Sequence, residues 1–261
     1  MLADRTLIRV AATGDLHCHR ASQGTLQPLF AQVSDQADIL AICGDLTDHG
    51  LVEEAQVLAK ELTATIRIPI VAVLGNHDFE SGKREEVTRI LADSGVHVLD
   101  GETFEVHGVG FAGVKGFAGG FGRHALGPWG EESIKKFVND AVQEALKLEA
   151  ALARLRTPTR LALLHYSPIR ATVEGEPLEI FPFLGCSRLE EPLNRYSVTA
   201  IFHGHAHHGT PEGRTSAHIP VFNVSMRLLQ RSYPDKAPYR IVEFPVETAK
   251  DATNEPTAAE R

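Results

Sequence analysis

The sequence predicts an α/β fold built from parallel β-α-β units, on three observations. Short apolar runs recur, and each ends in polar residues, all but the fourth with a glycine: LIRVAATGD, ADILAICGD, IPIVAVLGNHD, RLALLHYSP and VTAIFHGHAHHG. Segments with apolar residues at helical spacing separate the early runs. The ends of the first three runs are about 30 residues apart, the length of one β-α-β unit.

Each run reads as a buried strand that stops at a loop. Between the second and third runs, LVEEAQVLAKELTAT carries a helical apolar face. After the third, KREEVTRILADSG reads as a helix closed by Gly95. VHVLDGETFEVHGVGFAGVKGF then alternates and turns like a hairpin or meander, and AGGFGRHALGPWG is a glycine-rich loop. The longest helix is expected from about Glu131 to Leu155, with Phe137, Val138, Ala141, Leu148 and Leu152 on one face. Residues 167–196 read as an ordered loop or lid with a short helix. IPVFNVSM and APYRIVEFP read as two last strands. Residues 1–246 are expected to form one domain with two sheets. The tail, 247–261, has too little apolar surface to order itself.

Charge narrows the function. The formal net charge is −8 over 261 residues, which argues against a nucleic acid polymer or an anionic membrane as partner. An anionic substrate would need its charge met locally, and bound cations are the obvious device. The three cysteines, Cys18, Cys43 and Cys186, form no CxxC pair, which fits a reducing compartment. The first residues lack a signal-peptide pattern, and no apolar run approaches the ~20 residues of a membrane span. A cytoplasmic location is expected.

The histidines carry the chemistry through their positions. His17, His19, His77, His165, His203, His205, His207 and His208 fall in or just beyond four of the strand-end motifs, with Asp15, Asp45, Asn76 and Asp78. Groups just past the carboxyl ends of parallel strands converge on one crevice. Carboxylate, amide and imidazole together suit Mn, Fe, Zn or Co rather than Mg or Ca alone.

The ordered motifs GDLH (Asp15, His17), CGD (Asp45), GNHD (Asn76, His77, Asp78), LLHYS (His165) and GHAH (His205, His207) resemble the five blocks of the calcineurin-like metallophosphoesterases. That resemblance covers residues 14–208 and implies a four-layer α/β/β/α sandwich of two mixed sheets. It also implies a dinuclear metal centre. One ion would be held by Asp15, His17, Asp45 and His207, and the other by Asp45, Asn76, His165 and His205, with Asp45 bridging. The implied reaction is attack on phosphorus by a hydroxide bridging the metals, with small phosphodiesters or phosphomonoesters such as nucleotides as substrates. His77 has no metal role in the pattern and is the candidate proton donor to the leaving group. Asp48 stands where related protein phosphatases place the carboxylate that orients this histidine, and Asp78 is the alternative.

Departures from the pattern bear on substrate. Where Ser/Thr protein phosphatases carry Asp-Arg-Gly, this chain has Asp48-His49-Gly50. The blocks look closer to bacterial class III cyclic-nucleotide phosphodiesterases. His19 and His49 read as loop residues rather than substrate contacts, while Arg123 and His124 are open candidates for phosphate contact. His203 reads as buried support. Two other readings stand beside this one. DLHCH with the later TDHG imitates the polymerase-and-histidinol-phosphatase superfamily, which has a trinuclear zinc site on a distorted barrel. A non-catalytic metal-binding regulatory protein could use the same fold as the phosphoesterases.

Overall fold

The computed structural model describes residues 6–246, so the tail expected to lack order lies outside the described residues. Its first half alternates strand and helix as the apolar periods require. Strand β1 (Leu7–Thr13) leads to α1 (Gln27–Gln36), then β2 (Ile39–Cys43), α2 (Val52–Thr65), β3 (Ile70–Val73), α3 (Arg84–Asp93) and β4 (Val96–Val98). These four strands are parallel neighbours in chain order.

The chain then crosses to a second sheet. The hairpin β5 (Thr103–Val106) and β6 (Val109–Gly113) opens it, followed by α4 (Glu132–Leu152) and β7 (Thr159–Leu163). Next come α5 (Phe181–Leu184), α6 (Glu190–Arg195), β8 (Ala200–His203), β9 (Glu212–Arg214) and β10 (Pro220–Asn223). Helix α7 (Met226–Ser232) precedes β11 (Arg240–Pro245), which returns to the first sheet as an antiparallel edge on β1. The second sheet runs β5-β6-β7-β8-β10-β9, with β5 and β9 antiparallel to parallel neighbours.

Side-chain alternation builds the layers. Val10, Ala12, Ile39, Ala41, Val71 and Val73 face the second sheet and pack with Phe111, Leu161, Leu163 and Phe202. Their neighbours Ala11, Leu40, Ile42 and Ala72 face Phe30, Leu58, Leu62 and Leu91 of α1 to α3. On the far side, Leu148, Ala151 and Leu152 of α4 cover Ala112, Ala162 and Ile201. The order is therefore α/β/β/α with two mixed sheets. Strands covered on both faces carry apolar residues on both, which is why they read as nearly continuous apolar runs.

Three details differ from the sequence expectation. Residues 96–117 are not one meander: Val96–Val98 completes the first sheet, and a turn at Asp100 and Gly101 carries the chain to the hairpin of the second. A helix, α7, stands between the two final strands where no helix was expected. The trinuclear-zinc reading required a barrel, and the two sheets are open, with β4, β5, β9 and β11 at their edges. No helix among the described residues is long and apolar enough to cross a membrane.

Phe202 is fully buried between the sheets against Phe222 and Phe244, with ring centroids 5.4 and 6.4 Å away. Phe202→Ala should therefore cost about 3–5 kcal/mol, read as a lower urea midpoint with an unchanged slope. A loss below about 1 kcal/mol would mean that this contact does not hold the two sheets together.

Candidate metal centre

The parallel strands of both sheets deliver their next residues to one edge. Asp15, Asp45, His165 and His205 each lie two residues past the ends of β1, β2, β7 and β8, and Asn76 lies three past β3. Beyond the strands the backbone stays paired: Asp15 N–H donates to the Gly44 carbonyl at 2.9 Å, and His17 N–H to that of Asp45 at 2.9 Å. The two sheets are tied here too, since His205 N–H, just past β8 of the second sheet, donates to the carboxylate of Asp15, just past β1 of the first, at 3.0 Å.

Aiming these side chains inward strains the backbone. Among the described residues, six non-glycine positions have positive φ, and four of them are Asp15, His17, Asp45 and His205, at 57°, 43°, 46° and 70°. Such conformations cost of order 1–3 kcal/mol each and persist where surrounding structure over-determines them. Two motif glycines make the necessary room. A Cβ on Gly75 would lie 2.1 Å from Asp45 Oδ1, and one on Gly204 would lie 2.4 Å from Asp15 Oδ2.

The seven residues implied as ligands come together. Asp15, His17 and His207 present ligand atoms within 4.8 Å of one another, and so do Asp45, His165 and His205. The Asn76 Oδ1 atom is 2.8 Å from His165 Nε2. His77 is also close, because it shares a third such group with His17 and Asp45.

Hydrogen bonds define which imidazole atoms are free. His165 Nδ1 donates to the Cys43 carbonyl at 3.0 Å, which leaves Nε2 with its lone pair. That lone pair faces the equally electron-rich Asn76 oxygen with no proton between them. His205 Nε2 donates to the Phe183 carbonyl at 3.1 Å, leaving Nδ1 free. Both ring nitrogens of His17 are buried and make no hydrogen bond. Orphaned buried nitrogens and facing lone pairs are repulsive or unsatisfied unless a cation sits among them. The donor set therefore fits metal ions of the nitrogen-and-oxygen class.

Electrostatics agree. Burial holds the His165 imidazole well below its ordinary pKa and brings that of His205 down to about 4, so both are neutral near pH 7. Burial also lowers His17. Asp45 is pushed well above the carboxylate range by burial and by the Asp15 and Asp78 charges. Burial raises Asp15 as well, but its hydrogen bond to His207 and the nearby His165 outweigh this and hold it low. Burial opposes protonation of His207, and the Asp15 carboxylate, 3.1 Å from Nε2, more than offsets it. Positive charge is what this arrangement lacks.

His77 Nδ1 donates to the backbone carbonyl of Asp48 at 2.6 Å, leaving Nε2 toward the site. The expected orienter was the Asp48 carboxylate. That carboxylate instead lies 3.4 Å from His17 Nδ1 and 3.3 Å from His49 Nε2. The alternative, Asp78, has a different task. Its buried carboxylate accepts from Leu46 N–H, Thr47 N–H, the Thr47 hydroxyl and Gly75 N–H, binding the Asp45 and Asn76 loops to each other.

The remaining candidates lie away from the ligand cluster. His19 caps a short turn by accepting from Ala21 N–H at 3.2 Å, and His49 is exposed beside Glu80. Arg123 and His124 pair with each other on an exposed turn. Both ring nitrogens of His203 are used, on Gly204 and Thr172, as befits a buried support. One contributor was missed. An open cavity of about 430 Å³ is lined by Asp15, His17, Asp48, His77 and His207, and also by Met226, Arg227 and Gln230 of α7. Without a helical reading of that segment, no sequence signal placed these residues at the site.

Residues 8–209 match the family described as calcineurin-like phosphoesterase, and the chain belongs to that family. It is a metallophosphoesterase, and the family typically binds two metal ions. Among solved structures, the chain is similar to phosphopantetheinyl hydrolase from Mycobacterium tuberculosis, at 15% identity and a TM-score of 0.63. That match covers 89% of this chain and 95% of the other. It is also similar to TT1561 of Thermus thermophilus, at 14% identity and a TM-score of 0.54, covering 93% and 100% of the two chains. Both likenesses concern the fold. No curated protein matches the sequence.

Gly75→Ala tests the packing at the bridge. Its Cβ would also lie 2.2 Å from the Asp45 backbone nitrogen, so the carboxylate must move. The variant should keep its far-UV circular dichroism and lose at least tenfold in Mn²⁺ affinity. Wild-type affinity would show that the close approach at Gly75 is not needed.

Proposed function

We propose that this chain is a dinuclear metal-dependent hydrolase of small phosphodiesters or phosphomonoesters, with nucleotides within the substrate class. The observation that carries the reading is half-buried His17, whose two ring nitrogens are buried without a hydrogen bond and which groups with both Asp15 and Asp45. One ion would take Asp15, His17, Asp45 and His207. The other would take Asp45, Asn76, His165 and His205. Mn, Fe, Zn and Co all suit this donor set.

Bound there, the two cations would supply Lewis acidity, acidifying water and offsetting phosphoryl charge. The chain's own residues do the rest. Asp45, placed between the two imidazole sets, carries the negative charge that two adjacent cations need between them. The Cys43 and Phe183 carbonyls hold His165 and His205 in the tautomers that present a lone pair. His77, fixed by the Asp48 carbonyl, stands 4.5 Å ring to ring from His17 and can pass a proton to a leaving oxygen. The Asp48 carboxylate faces His17 and His49, so its role is electrostatic support of that side rather than orientation of His77.

The test is steady-state turnover of the Mn²⁺-loaded protein on bis(p-nitrophenyl) phosphate and p-nitrophenyl phosphate. Metal-dependent hydrolysis of at least one is expected, and full metal loading without turnover of either would favour a non-catalytic metal-binding role. His77→Ala should keep both metals. It should lose about 10²–10⁴-fold in kcat with an alkyl ester and far less with a nitrophenyl ester. Equal losses with both would contradict the proton-donor role.

A further inference from the structure

Arg227 is the one permanent cation lining the cavity beside the candidate metal centre, where the carboxylates of Asp15 and Asp48 also face inward. The protein as a whole carries a charge of −8, so an arginine here opposes the general trend. Among the described residues, Arg227 makes no hydrogen bond or ion pair, whereas its neighbour Arg231 bonds to His208. His207, whose Nε2 lies 3.1 Å from Asp15 Oδ1, marks one end of the row of histidines that lines this cavity with Arg227. His77 marks the other end, since His17 lies 4.5 Å from His77 and 5.5 Å from His207, ring to ring. Gln230 lies one turn on from Arg227 and lines the same cavity with neutral hydrogen-bonding groups.

The reacting phosphoryl group does not require this arginine if two metal ions already meet its charge. An unpaired guanidinium offers two parallel N–H donors to a carboxylate or phosphate. We infer that Arg227, with Gln230, forms a subsite for a second anionic group, phosphate or carboxylate, carried a few bonds from the reacting phosphorus. The inference rests on the hydrolase reading and narrows its substrate class to phosphoesters with two anionic groups. A leaving group or second ester arm with a single neutral alkyl chain would leave the arginine unused.

Binding of non-hydrolysable probes separates this from turnover. Calorimetry on the Mn²⁺-loaded protein would compare propylphosphonate with 1,3-propanediyl bisphosphonate and with 4-phosphonobutyrate. The wild type should bind at least one of the two doubly anionic probes tenfold or more tightly than propylphosphonate. Whichever is preferred identifies phosphate or carboxylate as the second group. Arg227→Ala should reduce that ratio to below about threefold. Arg231→Ala removes the same unit of charge from the same helix and should leave the ratio unchanged. Equal affinities in the wild type, no binding of any probe, or a preference that survives Arg227→Ala would overturn the inference. Equal erosion by both variants would also overturn it, by showing a general charge effect. The hydrolase reading is judged separately, by metal-dependent turnover of the nitrophenyl esters.

Discussion

The constraint on which this structure depends is a buried electrostatic deficit. Asp15 and Asp45 lie at the joint edge of two sheets, almost wholly out of water, among imidazoles that burial keeps neutral. Isolated charges in such a place are costly, and carboxylates side by side are worse. Cations bound there would resolve the problem that the fold creates. The proposed phosphoesterase chemistry follows from the same physics, because metal ions held by Asp15 and Asp45 would also have positive charge to offer a phosphoryl group.

Much of the surrounding architecture maintains that deficit. Positive φ at Asp15, His17, Asp45 and His205 holds the donors in directions that relaxed strands would not give them. Asp78 stitches the loops after β2 and β3 through four hydrogen bonds and contributes no atom to the cluster itself. The carbonyls of Cys43, Phe183 and Asp48 each fix one histidine tautomer. A loop of the second sheet and the lid-like segment around α5 thus take part in the same centre as the first sheet.

The sequence showed most of this because the candidate donors follow strand ends by two or three residues. Apolar runs stop and a donor follows, directly after a glycine at Asp15, Asp45, Asn76 and His205 and after Leu164 at His165, so these five were legible from position. His203 and His205 were separable because neighbours two apart on one strand end need not share a task. What was not legible depends on contacts distant in sequence. Asp48 reaches His77 through its backbone carbonyl, which has no sequence signature, and its carboxylate turns to His17 instead. Met226–Ser232 is seven residues long, too short for a helical period to stand out between two strands, so Arg227 was missed. The passage from β4 to β5 takes only a short turn, and alternation alone does not reveal that it changes sheets.

The central claim is most directly tested by titrating metal-stripped protein with Mn²⁺ while following heat and thermal stability together. Two equivalents per chain, with the melting temperature rising as they bind, is the predicted result. Saturation at one equivalent or none, with all seven donors intact, would contradict the account.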